Sequence, residues 1–433
     1  MPESNRAVGL DIGTTRVCIV VAEKEEFGTL KVIAKGSSPS DGLRRATVVN
    51  INKTSASIKA AVGDVEREAS LIIHGVNVAL SGAHVHCIES TSEISINQSG
   101  IVNKSDVHRF MEKAKANIQN LDVNHEVIHV IPQEFIVDDQ DRLLDPIGMA
   151  GTTMRGSVYI VVGLKTRIRN IRQCVERAGL KIASLTFKPV ALGMAVIKER
   201  EKNGGVLVID IGGGTTEVAL FLRGAIQFSE VINVAANDIT LDIAHGAEVL
   251  EEIAEELKLH YGYAVTQVNA KDEDIVIKGA EGHSERTFPR SSLTMIIEAR
   301  MMEIFELVRD AVISSGYYEE INAGVILTGG GALLPGVAEL ARLVFGLDVR
   351  IGYPEAGSAG IQGSPYTPMD ATAMGLVAHV YGSNYSGDHS FATQKEEPKE
   401  LPPPPVENVL VVQESGVAWK KVLDGLQDWW AKL

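Results

Sequence analysis

The chain is poor in the residues that mark several large classes of protein. Its 433 residues include three cysteines, Cys18, Cys87 and Cys174, far apart and with no CxxC pair. That spacing excludes a sequence-local zinc site and fits a reducing compartment without disulfides. Lys and Arg number 41 against 56 Asp and Glu, a net charge of -15. A chain this acidic is a poor candidate for nucleic-acid binding, which needs a basic face, and no nucleic-acid partner is expected. No apolar run reaches the roughly 18 residues of a spanning helix. The opening MPESNRAVGLDIG has no basic leader, apolar stretch or cleavage site, so no secretion signal is expected. Aromatic residues are 5% of the chain, and all three tryptophans fall at positions 419, 429 and 430.

What the chain does have is a long alternation of strand and helix patterns up to about residue 382, the signature of an α/β protein. The patterning predicts strands over 7–12, 17–23, 31–36 and 76–81, with a helix over 57–73. Residues 84–162 read as an insertion, with a Ser105-capped helix and strands over 127–137 and 157–164. The pattern resumes with a helix over 166–178 and a strand over 181–187. From Gly205 a second strand series begins, and its spacing repeats the first: an apolar strand ending in Asp-Ile-Gly, a small-residue turn, a return strand. Val8–Thr15 and Val208–Thr216 carry the two copies, which we read as an internal duplication. Helices follow over 238–245, 249–260 and 292–314, then a strand over 323–328.

Each Asp-Ile-Gly element has a chemical reading. The strand delivers Asp11 or Asp210 to its carboxyl end, and the glycines after it let backbone N–H groups approach an anion. Gly13, Thr14 and Thr15 in the first turn, and Gly212, Gly213, Gly214, Thr215 and Thr216 in the second, are candidates to hold a triphosphate from both sides. Asp11 and Asp210 would then stand near Mg²⁺, through water, because that ion keeps most of its hydration shell. A third cluster, Gly329, Gly330 and Gly331, follows a strand and precedes a helix with Pro335 near its start. It removes side chains where an adenine ring could lie against backbone. Any one of these clusters alone is more often an ordinary β-turn; their order and spacing together point to a nucleotide.

This pattern resembles the actin-like ATPase superfamily, with two phosphate loops at 11–15 and 210–216 and an adenosine loop at 328–332. Within it the details are similar to the FtsA family of bacterial cell-division proteins: VIPQEFIVDD in the insertion, IAEELKLHYGYA, and LTGGGALLPG followed by LDVRIGYP. The resemblance covers essentially the whole chain. It implies an actin-like α/β fold of two duplicated lobes around a nucleotide cleft. Lobe one would take 1–83 with 163–193 and 366–382, and an inserted α/β subdomain 84–162. Lobe two would take 194–235 with 307–365, and a tip subdomain 236–306. It implies ATP and Mg²⁺ as ligands and a ribose contact at Glu255 and Lys258, one helical turn apart. Without the resemblance that pair reads as an exposed ion pair of little consequence.

Two departures from the family stand out. Lys188 occupies a stretch, Phe187-Lys188-Pro189-Val190-Ala191-Leu192, that offers no Gln, Glu or His to orient a water. Ala235-Ala236-Asn237 stands where relatives usually carry a Gly before the Asn. Nucleotide binding with slow or negligible turnover is therefore expected.

After residue 382 the composition turns to Gly, Ser, Asn and Asp and then to KEEPKELPPPPVE, a linker over 383–415 that cannot bury a core. Beyond it, Trp419, Val422, Leu423, Leu426, Trp430 and Leu433 recur on one helical stripe, with Trp429 beside it. Residues 416–433 are expected to form an amphipathic helix lying in a membrane interface. The alternative is a helix docked on the chain's own core, which the Pro-rich linker disfavours. The resemblance further implies the C-terminal peptide of the tubulin-like FtsZ as partner, self-association into filaments, and other division proteins on the insertion. It places the chain on the cytoplasmic side of the inner membrane, at the division site. Arg290, Arg300 and Lys278 are the basic candidates for that acidic peptide. The competing readings are a pilus-assembly or rod-shape adaptor of the same fold, or a superfamily kinase or phosphatase.

Overall fold

The computed structural model describes residues 6–24, 30–118, 121–266, 274–277, 285–354 and 366–382. Two five-stranded sheets dominate it, and they share one topology. The first runs Lys181–Phe187, Gly75–Leu80, Arg6–Ile12, Arg16–Lys24, Leu30–Pro39. The second runs Val349–Ile351, Val325–Thr328, Val206–Ile211, Thr216–Leu222, Ala225–Ile232. In each, the central strand pairs antiparallel with the strand that follows it and parallel with the strand on its other side. The duplication expected from the two Asp-Ile-Gly elements is thus present at the level of whole sheets. Registers match as well: Asp11 faces Cys18 across the first hairpin, and Asp210 faces Glu217 across the second.

Burial explains the strand sequences. Every residue of Val206–Ile211 and of Thr216–Leu222 is buried. Strands covered by helices on both faces read as continuous apolar runs rather than as an alternation. The lobe-two core gathers Leu207, Ile209, Leu220, Ile297, Phe305 and Leu340, among others. Each such side chain contributes roughly 1.5–3 kcal/mol by leaving water. The lobe-one core gathers Leu10, Ile19, Ile58, Val78 and Val175. Residues 85–164 fold separately as a four-stranded sheet in the order Val85–Ser95, Thr153–Leu164, His125–Val137, Gln140–Leu143. The helix Lys104–Ala116 packs on it through Phe110, whose ring lies 5.2 Å from that of Phe135.

Caps moved three helix boundaries away from the sequence reading. The first helix spans Ile51–Ala69 because the Asn50 side chain accepts the Lys53 N–H, so it starts well before its apolar periodicity becomes visible. The insertion helix is capped by Asn103 in a capping box with Asp106, not by Ser105. Pro335 lies outside its helix, Val337–Phe345, for which Gly336 is the cap; a 3-10 turn, Gly330–Leu333, comes first. The last helix, Ala371–Gly382, closes lobe one against the helix Lys188–Val196. A Cβ on Gly375 would fall 1.9 Å from the Ala191 carbonyl, so only glycine permits that approach. The expected linker and the tail residues Trp419, Val422, Leu423, Leu426, Trp429, Trp430 and Leu433 lie outside the described residues. Among the described residues no helix is long and apolar enough to cross a membrane.

Candidate functional site

The two Asp-Ile-Gly turns have one geometry. In the first, the Gly13 N–H donates to the Arg16 carbonyl at 3.0 Å; in the second, Gly212 N–H donates to the Thr215 carbonyl at 3.0 Å. Thr14 and Thr15 therefore correspond to Gly213 and Gly214, rather than to the threonines that follow. The turns face each other across a cleft. A Cβ on Gly213 would meet Thr15 Cγ2 at 2.4 Å, and one on Gly214 would meet Thr14 Oγ1 at 2.7 Å. The small residues of the second turn are what lets the two turns come this close. The neighbouring Arg45 and Ala46 both hold positive φ, 46° and 55°. That costs of order 1–3 kcal/mol each. It brings the Ala46 N–H to Thr14 Oγ1 at 3.1 Å and Arg45 Nη2 within 3.4 Å of Asp238 in lobe two.

Two cavities open from this cleft. One, of about 90 Å³, is lined by Asp11, Gly13, Thr14, Thr15, Lys188, Asp210, Gly212, Gly213, Gly214, Thr215, Glu217 and Gly329. The other, of about 250 Å³, is lined by Ala236, Asn237, Glu255, Lys258, Gly330, Gly331, Leu334 and Met369. They share Thr15, Gly212, Gly213, Gly330 and Met369. A polar cavity beside a larger, mostly apolar one has the division of labour that a phosphate chain and a ring need.

Lys258 is buried, not exposed: its Nζ donates to Ala236 O at 3.1 Å and to Thr240 Oγ1 at 2.7 Å, and pairs with Glu255 at 2.7 Å. Those bonds fix its ammonium at the wall of the larger cavity. Thr216 does not reach either cavity; it is fully buried and its hydroxyl donates to the Val234 carbonyl. Thr215 lines the smaller cavity with its hydroxyl on Glu217 Oε1 at 3.2 Å. Gly329 holds φ 82°, and a Cβ there would fall 2.2 Å from Asp210 Oδ1. Its N–H and the Thr328 hydroxyl both reach the Pro368 carbonyl, tying the glycine loop to the turn before the last helix.

The residues that sequence reasoning passed over are Glu217 and the role of Lys188. The strand Lys181–Phe187 ends beside Leu80, and its helix starts at once with Lys188. A cation at a helix N-terminus opposes the dipole, and here carboxylates offset it. Lys188 Nζ lies 2.6 Å from Asp210 Oδ2 and 3.1 Å from Glu217 Oε2, with its side chain 11% exposed. Burial alone would lower the pKa of Lys188; the neighbouring Asp210, Glu217 and Asp11 outweigh it and hold the pKa well above the usual value. Burial pushes Asp11 and Glu217 upward, partly opposed by Lys188. The signal for Glu217 was available: it sits directly opposite Asp210 in a short hairpin. Asp11 and Asp210, expected from the sequence to stand near a divalent ion, both line the smaller cavity, where Asp210 is paired with Lys188.

The basic residues of the lobe-two tip are not equivalent. Arg290 is exposed at the first position of the helix Arg290–Ser314. Arg300 is engaged by Asp242, with Nη2 to Oδ1 at 3.0 Å, and by Glu303. Lys278 lies outside the described residues.

Two sheets of one topology enclosing a glycine-lined cleft define the actin-like ATPase fold. Among solved structures, the PilM-PilN type IV pilus biogenesis complex superposes with a TM-score of 0.61 at 18% identity, covering 87% of this chain and 98% of that one. MreB5 of Spiroplasma citri bound to ADP gives 0.53 at 15% identity, over 89% and 98%. Those likenesses carry the fold. Sequence carries the family. Residues 207–375 match the family described as cell division protein FtsA, and residues 82–162 match the SHS2 domain inserted in FtsA. The chain is 36% identical to cell division protein FtsA of Neisseria meningitidis serogroup B, over 85% of its own length and 88% of that protein's. It is 35% identical to the FtsA of Borreliella burgdorferi over 87% and 91%, and 33% identical to that of Escherichia coli K12 over 88% and 91%. The chain belongs to the FtsA family of cell-division proteins.

Proposed function

We propose that this chain is an ATP-binding, actin-like membrane tether of the division ring. In this reading it links FtsZ filaments to the inner face of the cytoplasmic membrane and recruits later division proteins through the inserted subdomain. The observation that carries it is the pair of matched turns, Gly13–Thr15 against Gly212–Gly214, set beside a cavity walled by Glu255, Lys258, Gly330 and Gly331. That arrangement gives a polyphosphate two sets of backbone N–H donors and a ribose the Glu255–Lys258 pair. Similar proteins support the ligand and the setting by their descriptions alone: an MreB5 bound to ADP, and curated cell-division proteins at about one-third identity. Turnover is slow or negligible in this reading, because the stretch that should orient a water presents Lys188 to Asp210 and Glu217 instead. Membrane attachment comes from the Trp-rich stripe at 419–433. Filament formation would align many tails and raise avidity without new contacts.

Cosedimentation of the purified chain with anionic liposomes, with and without ATP and an acidic FtsZ-tail peptide, tests all three parts. ATP is expected to bind, and liposomes to carry down the chain and, through it, the peptide. Failure to bind ATP in calorimetry would remove the nucleotide reading, and failure to pellet with liposomes would remove the tether.

A further inference from the structure

The inserted subdomain is joined to lobe one by its chain but held to lobe two by its side chains. It leaves lobe one over 82–84 and returns at Leu164, whose N–H donates to the His84 carbonyl at 3.2 Å, so both connections pass through one narrow joint. Tyr159 and Gln133 stand on its two central strands, Tyr159 in register with Ile131 and Gln133 two positions further on. Both are buried, and both reach across to Ala225–Ile232, the edge strand of the lobe-two sheet. Tyr159 Oη accepts the Ser229 N–H at 2.9 Å. Gln133 Nε2 donates to the Ile226 carbonyl at 3.3 Å and to Gln227 Oε1 at 3.0 Å. Leu144 packs on the turn before that strand, where a Cβ on Gly224 would fall 2.8 Å from its Cδ1. The edge strand leads straight to the nucleotide cleft. Past Ile232 the Val234 carbonyl accepts the Thr216 hydroxyl at 2.8 Å, and the Ala236 and Asn237 N–H groups donate to the Gly212 and Gly213 carbonyls at 3.1 Å and 2.9 Å. The segment that the insertion grips is therefore the one that supports the second glycine turn. A cavity of about 60 Å³ lies where three bodies meet, lined by Ile131 and Pro132 of the insertion, Val190 and Gly193 of the helix Lys188–Val196, and Phe221 and Ile226 of lobe two. A close-packed joint resists small shifts; an apolar void inside it leaves room for one.

Building on the nucleotide reading above, we propose that the clasp of Tyr159 and Gln133 on the edge strand couples the inserted subdomain to the nucleotide cleft. A ligand held between Gly13–Thr15 and Gly212–Gly214 sets the spacing of the lobes, as two-lobed proteins close about a hinge on their ligands. Lobe two carries its edge strand with it, and the insertion, pivoting at the joint of His84 and Leu164, follows. Whatever binds the insertion is linked to the nucleotide through the same clasp, because coupling between two sites is reciprocal.

The experiment is hydrogen exchange read by mass spectrometry on the full chain, with and without saturating ATP, for the natural chain and for Tyr159→Phe combined with Gln133→Leu. Calorimetry on the same samples measures ATP binding. In the natural chain ATP is expected to slow exchange about fivefold or more over 11–16 and 210–216, and likewise over 127–137 and 225–232. The helix Lys104–Ala116, which packs within the insertion, is expected to change by less than about twofold. The variant is expected to keep the slowing at the cleft and to lose it over 127–137. Circular dichroism establishes that the variant is folded. If it does not fold, Tyr159→Phe combined with Gln227→Ala opens the clasp from the lobe-two side and carries the same expectation. The proposal is overturned if ATP slows exchange at the cleft of the natural chain but leaves 127–137 unchanged, or if 104–116 slows as much as 127–137. A folded variant that still transmits the full effect overturns it too. Absence of ATP binding by the natural chain in calorimetry is a different outcome: it overturns the nucleotide reading itself, and this proposal with it.

Discussion

Asp370→Asn tests how the two lobes are joined at the cleft. The Asp370 carboxylate is fully buried, with Oδ1 3.2 Å from Arg16 Nη2 and Oδ2 3.0 Å from Lys35 Nζ. The Thr367 N–H and hydroxyl also donate to Oδ2, at 2.9 Å and 3.0 Å. Two residues earlier the Pro368 carbonyl accepts from Gly329 and Thr328 of lobe two. One turn therefore anchors the last helix to the lobe-one sheet and the glycine loop to both. Burial by itself would raise the Asp370 pKa; the Thr367 hydrogen bond and the Lys35 and Arg16 charges outweigh it, and the pKa lies below the ordinary carboxylate value. Asparagine keeps the shape and removes the charge. Breaking a fully buried pair costs about 3–5 kcal/mol. Arg16 and Lys35 are 22% and 28% exposed and regain some hydration, which lowers the expected loss to about 2–4 kcal/mol at neutral pH. Urea unfolding followed by far-ultraviolet circular dichroism measures it. The sign with pH follows from the depressed pKa: the contribution is present above the unfolded value near 4 and is lost as pH falls through the folded value. The gap between the two chains should therefore narrow below about pH 4. A loss under about 1 kcal/mol, the size of an exposed pair, or a gap that widens in acid, would refute the reasoning.

Four further outcomes are expected. Gly329→Ala places a Cβ 2.2 Å from Asp210 Oδ1 at a φ of 82°; it should destabilise by at least about 1–3 kcal/mol in thermal denaturation, and an unchanged melting temperature would contradict it. Lys258→Ala leaves Glu255 without its ammonium at the wall of the larger cavity and should weaken ATP binding about tenfold or more in calorimetry. Trp430→Glu should abolish flotation with liposomes at unchanged ATP affinity, and a variant that still floats would rule out the tail as anchor. Arg290→Glu, at an exposed position, should weaken capture of an acidic FtsZ-tail peptide in a polarisation assay. Arg300→Glu added to it needs a folding control because Asp242 holds that side chain, and a peptide affinity unmoved by the pair would remove both from the contact surface.

The sequence by itself determined the architecture, because its information there is local and repeated. Asp-Ile-Gly followed by small residues appears twice, and a hairpin turn after a buried strand has few solutions in residue space, so two like motifs fold into two like sheets. It also determined the three glycine loops and the flat approach each permits. Helix starts were less legible. Asn50 and Asn103 act through side-chain bonds to backbone, which apolar periodicity does not report. What only the tertiary structure decided is the chemistry inside the cleft. Lys188 could be read as a departure from a pattern, but its partners come from strands that lie far along the chain, and the charge it neutralises belongs to a hairpin in the other lobe. Lys258 looked like half of an exposed pair until the packing of two helices buried it against Thr240 and the Ala236 carbonyl. A strand's turn is written in consecutive residues. A charge's meaning depends on what the fold brings within a few ångströms of it, and on how much water is left there.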